Sequence, residues 1–258
     1  MMINQVLAAF LISLMAGLAT SIGGILTFFV KKDNMKILAF GLSFSAGLMI
    51  YISFMEILPE AMNWLSGLYG EKKGSLLAVC IFLVGILFAA LIDYLMPDHV
   101  DYEQKIDNKK RLKRVGIFSA IAIAIHNFPE GIATFMTGLK SISLSIPIAV
   151  AIALHNVPEG ISVALPIFNA TGKKRKAFFW ASLSGMAEPV GAILGFFLLR
   201  NYLNDLTFGI LFALIAGIMI YLSLDELLPL AKEYDESHQG IIGVSLGIMV
   251  MAFTMIFV

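Results

Sequence analysis

The chain has 258 residues, of which 59% are hydrophobic and only 14% are charged, and its mean hydropathy is +0.88. A soluble domain usually carries about 25% charged residues, so this composition predicts a polytopic helical membrane protein, with no stretch that indicates a soluble domain or a nucleic-acid partner. Acidic and basic residues balance at 18 each, and the single cysteine, Cys80, excludes an internal disulfide and a thiolate metal cluster.

Eight apolar runs, separated by short charged loops, are long enough to cross a membrane as helices. At 1.5 Å per residue, about 20 residues cross the ~30 Å hydrocarbon core. The predicted spans are residues 6–30, 36–62, 74–96, 115–139, 142–167, 177–199, 206–228 and 240–258. Together they form one transmembrane domain over residues 1–258, with one sizeable loop at about 97–114. The first run lacks a preceding basic region, so we expect a retained span instead of a cleaved signal peptide.

The lysines and arginines set the orientation of these spans. With the N-terminus outside, fourteen of them fall in inner loops and four in outer loops. This positive-inside bias predicts a multi-pass protein of the cell's inner membrane, with both termini on the extracytoplasmic side and the 97–114 loop in the cytoplasm.

Span two ends with a segment that returns later in the chain. Residues 47–53 read GLMIYIS and are followed by Glu56, Pro59 and Glu60. Because span two runs from inside to outside, the two acids are predicted near the outer surface, at one mouth of a pathway. The alternative is that they are helix-end acids in contact with water.

Spans four and five each carry the phrase His-Asn-x-Pro-Glu-Gly, at positions 126–131 and 155–160. Polar groups in lipid cost free energy, so a duplicated polar phrase in apolar runs indicates a function. His and Glu at positions i and i+4 share one helix face, and Asn lies about 100° round the helix. The candidate metal ligands are His126, Asn127, Glu130, His155, Asn156 and Glu159.

Proline and glycine in each phrase adapt the helix to a site. Pro129 and Pro158 free the carbonyl four residues earlier and bend the helix, which is tolerated at membrane depth where the freed group faces a cavity or an ion. Gly131 and Gly160, which end the phrases, allow neighbouring helices to approach closely.

Span six adds a lone acid, Glu188, at its centre. The centres of spans four, five and six fall near positions 127, 155 and 188, so the candidate ligands are predicted near the membrane midplane. Three ionised glutamates there would cost on the order of 8–10 kcal/mol, with no lysine or arginine inside the membrane to neutralise them. Either the glutamates are protonated or a bound cation offsets their charge.

Span seven repeats part of span two. Residues 217–223 read GIMIYLS, which matches the segment at 47–53, and they are followed by Asp225, Glu226 and Pro229, with the acids predicted at the cytoplasmic mouth. Since the two spans run in opposite directions, we predict an all-α fold in which spans one to three and six to eight form an inverted repeat around spans four and five. Such repeats are typical of transporters. The alternative is chance similarity between glycine-rich apolar helices.

Imidazole, amide and carboxylate groups without thiolate suit Zn²⁺, Fe²⁺, Mn²⁺ and related ions, with weak selectivity among them. Three carboxylates shared by two His/Asn sets can bridge two ions, so the site would hold one ion or two. The alternative is an interhelical hydrogen-bond network, which fits one phrase better than two phrases plus Glu188.

The paired His-Asn-x-Pro-Glu-Gly phrases resemble the ZIP (Zrt/Irt-like) family of divalent-metal transporters, and the chain is most similar to its bacterial zinc-uptake members. The resemblance implies ion movement into the cytoplasm, with the seven residues above as ligands and the glutamates as bridges. It also implies that spans one, four, five and six move against spans two, three, seven and eight, often within a homodimer. One departure is the 97–114 loop, which many relatives fill with histidines and which here holds only His99.

We therefore expect a transporter, not an enzyme, that carries Zn²⁺ and also Fe²⁺, Mn²⁺, Co²⁺ or Cd²⁺ into the cytoplasm, with the metal as its substrate and no catalytic cofactor. One alternative is an intramembrane metalloenzyme. The Glu-x-x-His pattern of di-iron bundles and the His-Glu-x-x-His pattern of zinc hydrolases are both absent from the sequence. The other is a passive metal channel, in which uptake would not saturate.

Overall fold

The computed structural model describes residues 3–29, 35–95, 108–199, 202, 204–234 and 238–257, and these contain eight long helices and no β-strand. Two of the helices include a π-helical turn, and one has a break at Met186. The helices are α1 (Ile3–Leu26), α2 (Met35–Ile52, the π-helical turn Ser53–Ile57, and Leu58–Tyr69), α3 (Glu71–Leu95), α4 (Asn108–Lys140), α5 (Ile142–Thr171), α6 (Lys174–Gly185 and Ala187–Leu199), α7 (Asp205–Leu222, the π-helical turn Ser223–Leu227, and Leu228–Tyr234) and α8 (Gln239–Phe257).

Seven of these helices, α1 to α3 and α5 to α8, are long and apolar enough to cross a membrane. This confirms the prediction of an all-helical polytopic membrane protein. The remaining helix, α4, has 33 residues and carries the first of the two polar phrases. Several of its side chains, that of His126 among them, lie outside the described part of the chain.

The structure shortens the predicted cytoplasmic loop. Residues 96–107, with His99, lie outside the described residues, but α4 already begins at Asn108. The basic stretch at 109–114 is therefore helical, whereas hydropathy had assigned it to the loop at 97–114. Charged residues end an apolar run without ending a helix, because straight-chain lysine and arginine are good helix formers.

Helices α2 and α7 continue to Tyr69 and Tyr234, past their predicted ends at 62 and 228. In each, a π-helical turn stands immediately before the residue that precedes a proline, Pro59 or Pro229. The wider turn accommodates a proline, which lacks the N–H that an α-helix needs, and the helix goes on. Proline at the start of the following segment is compatible with helix because the first turn needs no donor.

The eight helices pack as two groups of four. Helices α1, α4, α5 and α6 all contact one another, and α2, α3, α7 and α8 form the other group. The groups meet chiefly where α5 packs against α2, with smaller contacts between α4 and α7 and between α5 and α8. Helix α5 is thus central, while α3 and α8 are the least buried of the seven candidate spans.

Candidate metal centre

The predicted ligands lie in the interior of the α1–α4–α5–α6 group. Six of the seven have described side chains, and each of the six is at most 1% exposed. They are Asn127, Glu130, His155, Asn156, Glu159 and Glu188. The side chain of the seventh, His126, lies outside the described residues.

One contact joins the two phrases directly. Nε2 of His155 on α5 lies 3.2 Å and 3.4 Å from the two carboxylate oxygens of Glu130 on α4. Both side chains are buried, so the imidazole N–H donates to a carboxylate that water does not screen. The acid of the first phrase therefore meets the imidazole of the second.

The two asparagines fasten neighbouring helices through their amide nitrogens. Nδ2 of Asn156 donates to the backbone oxygen of Ala16 on α1 and to Oε2 of Glu188 on α6, both at 3.0 Å. Nδ2 of Asn127 donates to the backbone oxygen of Ser184 on α6 at 3.3 Å. The oxygens of both amides are buried and accept no hydrogen bond from the residues that the structure describes. A buried acceptor without a donor costs free energy, and amide oxygen is also a metal ligand.

Glycines bring the four helices close enough for these bonds. A side chain at Gly131 on α4 would collide with the backbone oxygen of Glu188, and one at Gly160 on α5 with that of Thr20 on α1. The glycine that ends each phrase is therefore a position of close helix approach, as the sequence predicted.

The described side chains alone do not form a complete metal site. Among them, no group of three or more His, Cys, Asp or Glu residues is placed to hold a metal ion. The predicted ligand set also contains the oxygens of Asn127 and Asn156 and the imidazole of His126, which lies outside the described part.

The four acids predicted at the mouths of a pathway lie in the other helix group. Glu56 belongs to the π-helical turn of α2, and Glu60 follows one turn later; both are half-buried. Asp225, which is exposed, and the half-buried Glu226 belong to the π-helical turn of α7. The structure therefore sets these acids on α2 and α7, and not on the four helices that carry the predicted ligands.

A further acid, Asp93, was not singled out from the sequence. The hydroxyl of Tyr221 on α7 donates to Oδ2 of Asp93 on α3 at 3.2 Å. Tyr221 lies one helical turn before Asp225. Asp93 and Glu226 also line an apolar cavity of about 800 Å³ between α3, α4, α6 and α7. In the sequence Asp93 is a lone acid at a helix end. Its contact with Tyr221, in the repeated segment 217–223, is visible only in the fold.

Nearly the whole chain is similar to proteins named as zinc transporters. A family model described as ZIP Zinc transporter matches residues 2–114 and 97–255. The chain belongs to the ZIP family. Proteins called Zinc transporter ZupT from Clostridium perfringens, Campylobacter jejuni and Chlorobaculum parvum are 51%, 47% and 51% identical to it, over 98%, 98% and 99% of this chain and 96%, 97% and 99% of their own length.

Membership of the ZIP family decides between the two classes of function that the sequence left open. ZIP proteins are transporters and not enzymes, and in the family zinc is a transported substrate, not a catalytic cofactor. Together with the apolar helices, this makes the chain a multi-pass membrane transporter. The intramembrane metalloenzyme is therefore set aside.

Proposed function

We propose that the chain carries divalent transition-metal ions, zinc first among them, from outside into the cytoplasm through the buried His/Asn/Glu set. The observation that carries the proposal is the burial of three glutamates, one histidine and two unpartnered amide oxygens within four apolar helices of the described structure. Such atoms at membrane depth are costly, and a divalent cation compensates nitrogen and oxygen donors together. Relatives named as zinc transporters support zinc as the substrate.

The proposed ligands are the seven residues predicted from the sequence, with the glutamates bridging where two ions are bound. The contact between His155 and Glu130 indicates how loading begins. A metal ligand must be unprotonated, so an entering cation takes the place of the proton between Nε2 and the carboxylate. A neutral imidazole can bind the ion through Nε2 and carry its own proton on Nδ1.

The proposed architecture is one of eight spans, with α1 to α3 and α6 to α8 as inverted repeats around α4 and α5. The π-helical turns at Ser53–Ile57 and Ser223–Leu227 support it, because each begins at the serine that ends its copy of the repeated sequence. Glycine contacts support it as well. Gly47 of α2 packs closely on the backbone of α8, and Gly217 of α7 packs on that of α3, as exchange of the two halves requires.

The proposed setting is the inner membrane of the cell, with both termini outside and the whole chain as one domain in the lipid bilayer. The distribution of lysine and arginine supports this orientation. Large apolar side chains on the outer helices, among them Leu87, Phe197 and Ile256, are more than 60% exposed. Such a surface suits lipid and a second copy of the chain, in keeping with the homodimer expected from the family resemblance.

We infer that transport moves α1, α4, α5 and α6 as a unit against α2, α3, α7 and α8. The packing of the helices into these same two groups supports the division. Glu56 and Glu60 would attract cations at the outer mouth, and Asp225 and Glu226 would receive them at the inner one.

Uptake of radioactive zinc into proteoliposomes tests the proposal. We expect uptake to saturate with zinc concentration, and excess Fe²⁺, Mn²⁺, Co²⁺ or Cd²⁺ to compete, because nitrogen and oxygen ligands discriminate weakly among these ions. Uptake that rises linearly would identify a passive channel. Uptake no greater than that of protein-free vesicles would refute the proposal.

A further inference from the structure

Thr20 of α1 stands in the same relation to α5 as Glu188 of α6 stands to α4. A side chain at Gly160 would meet the backbone oxygen of Thr20, and one at Gly131 would meet that of Glu188. The two glycines are equivalent, because each ends one copy of the polar phrase. The residues that they approach, Thr20 and Glu188, therefore occupy corresponding places on their own helices.

The asparagines of the two phrases show the same correspondence. Asn127 donates to the backbone oxygen of Ser184, and Asn156 donates to that of Ala16. Ser184 lies one helical turn before Glu188, just as Ala16 lies one turn before Thr20.

Two further glycines, which lie outside the phrases, show the same correspondence between α1 and α6. Gly191 of α6 packs closely on the backbone oxygen of Phe128, and Gly23 of α1 packs on that of Val157, the variable residue of the other phrase. Gly191 follows Glu188 at the same spacing as Gly23 follows Thr20. Helices α1 and α6 are therefore equivalent walls of the buried site, and Thr20 is the equivalent of Glu188.

The hydroxyl of Thr20 has no structural use within its own helix. Thr20 is fully buried, and its Oγ1 has no hydrogen-bond partner among the described residues. A threonine inside a helix can bond to the carbonyl four residues earlier, as Thr27 and Thr137 do here. For Thr20 that carbonyl belongs to Ala16, which accepts from Asn156 instead.

The hydroxyl of Thr20 lies beside the part of α6 that also binds the first phrase, at Ser184 and Gly185. Oγ1 of Thr20 is 2.9 Å from the place that a Cβ on Gly185 would occupy. The preceding residue, Ser184, accepts the amide of Asn127, whose own oxygen has no donor among the described residues. The hydroxyl of Thr20 on α1 and the amide group of Asn127 on α4 thus lie against consecutive residues of α6, Gly185 and Ser184.

We propose that Thr20 is a further cation-binding residue of the buried site, supplying a neutral oxygen where the opposite wall supplies the carboxylate of Glu188. This inference rests on the proposed transport of divalent metals and deepens it. Because one wall carries a charge and the other does not, an ion beside Glu188 is held more tightly than an ion beside Thr20. An ion beside Thr20 then exchanges more readily than an ion beside Glu188.

Two substitutions isolate the hydroxyl. Thr20→Val keeps the shape of the side chain and removes the oxygen, whereas Thr20→Ser keeps the oxygen and removes a methyl group. We expect Thr20→Val to raise the zinc concentration for half-maximal uptake roughly three- to tenfold with little change in maximal rate, and Thr20→Ser to stay within about twofold of the unmodified protein. Equal values for the two variants would overturn the proposal.

A second pair isolates the charge and does not depend on transport. Thr20→Asp gives both walls a carboxylate, and Thr20→Asn has nearly the same size without the charge. In equilibrium binding of zinc to the purified protein, Thr20→Asp should bind about tenfold more tightly than Thr20→Asn. Equal affinities would count against the role of Thr20, and this pair decides the question if Thr20→Val does not fold. Affinity that responds to Thr20 in a protein without zinc uptake would instead refute the proposed transport alone.

Discussion

An asparagine in each polar phrase performs two tasks that no carboxylate can combine. Its NH₂ group donates to a backbone carbonyl of a neighbouring helix, which holds α4 to α6 and α5 to α1. Its oxygen remains available to a cation. An aspartate at position 156 would set a carboxylate against the oxygens of Ala16 and Glu188, which now accept from the amide.

At the same scale, loss of either amide should weaken metal binding. We expect Asn127→Leu and Asn156→Leu to raise the zinc dissociation constant roughly tenfold, because each removes one oxygen ligand and one interhelical hydrogen bond. Calorimetric titration of the purified protein with zinc measures this. Asn63→Leu, at an exposed position on α2, is the control and should not change affinity. Wild-type affinity in both site variants would show that the amides do not touch the ion.

At the scale of helices, close packing at the phrase glycines should control stability. Gly131→Ala and Gly160→Ala each introduce a methyl group into the backbone of a neighbouring helix, and each should cost about 1–3 kcal/mol of unfolding free energy. Gly67→Ala is the matched control, since this helical glycine has open space around it and should be neutral or slightly stabilised. Thermal unfolding in detergent compares the three. Similar melting temperatures would mean that α4 and α5 tolerate separation from α6 and α1.

The carboxyl-terminal end of α4 contacts the opposite helix group through Lys140. Nζ of Lys140 lies 3.0 Å from the centre of the Trp64 ring on α2 and 3.4 Å from a carboxylate oxygen of Asp205 on α7. An exposed cation–π contact contributes about 0.5–1 kcal/mol and an exposed ion pair about 0–1 kcal/mol. This junction must open if the two groups move past each other.

Removing that junction should therefore shift the protein towards other conformations. With spin labels at the carboxyl-terminal end of α4 and the amino-terminal end of α7, we expect Lys140→Met to broaden or lengthen the measured distance distribution, because about 1 kcal/mol changes a two-state ratio about fivefold. Lys73→Met, at an exposed lysine of α3, should leave the distribution unchanged. An identical distribution in Lys140→Met would exclude this junction as a restraint.

The sequence predicted the helices best where the hydrophobic run and the helix end together. Predicted span 74–96 corresponds to Glu71–Leu95, whereas α2 and α7 continue past their predicted ends. Hydropathy identifies the apolar part of a helix. It does not show that the helix continues through polar residues, or past a proline by way of a π-helical turn. For the buried His/Asn/Glu set, the two phrases predicted the polar side chains. The sequence did not indicate the backbone oxygens of Ala16 and Ser184 or the hydroxyl of Thr20, because apolar helices commonly contain such residues.

As a whole, the molecule consists of two groups of four helices, one of which encloses the buried polar side chains, and the two groups meet at an apolar boundary. The predicted ligands with described side chains all lie in the α1–α4–α5–α6 group, tied together by the bonds of Glu130, Asn127 and Asn156. Across the boundary, Ser45 of α2 donates to the backbone oxygen of His155 at a long 3.4 Å. The apolar cavity of about 800 Å³ lies on the same boundary. Helices that are tied to one another by such side-chain bonds can move as a unit along a boundary of this kind.

Uptake of radioactive zinc by proteoliposomes containing Glu130→Gln protein tests most directly whether zinc crosses the membrane by way of the buried His/Asn/Glu set. Glutamine keeps the size of the side chain and removes the charge. We predict uptake lower by roughly tenfold or more, with the melting temperature retained, because a ligand of the ion has lost its negative charge. Glu71→Gln, on the exposed first turn of α3, should transport as the unmodified protein does. Undiminished uptake by folded Glu130→Gln protein would contradict the account.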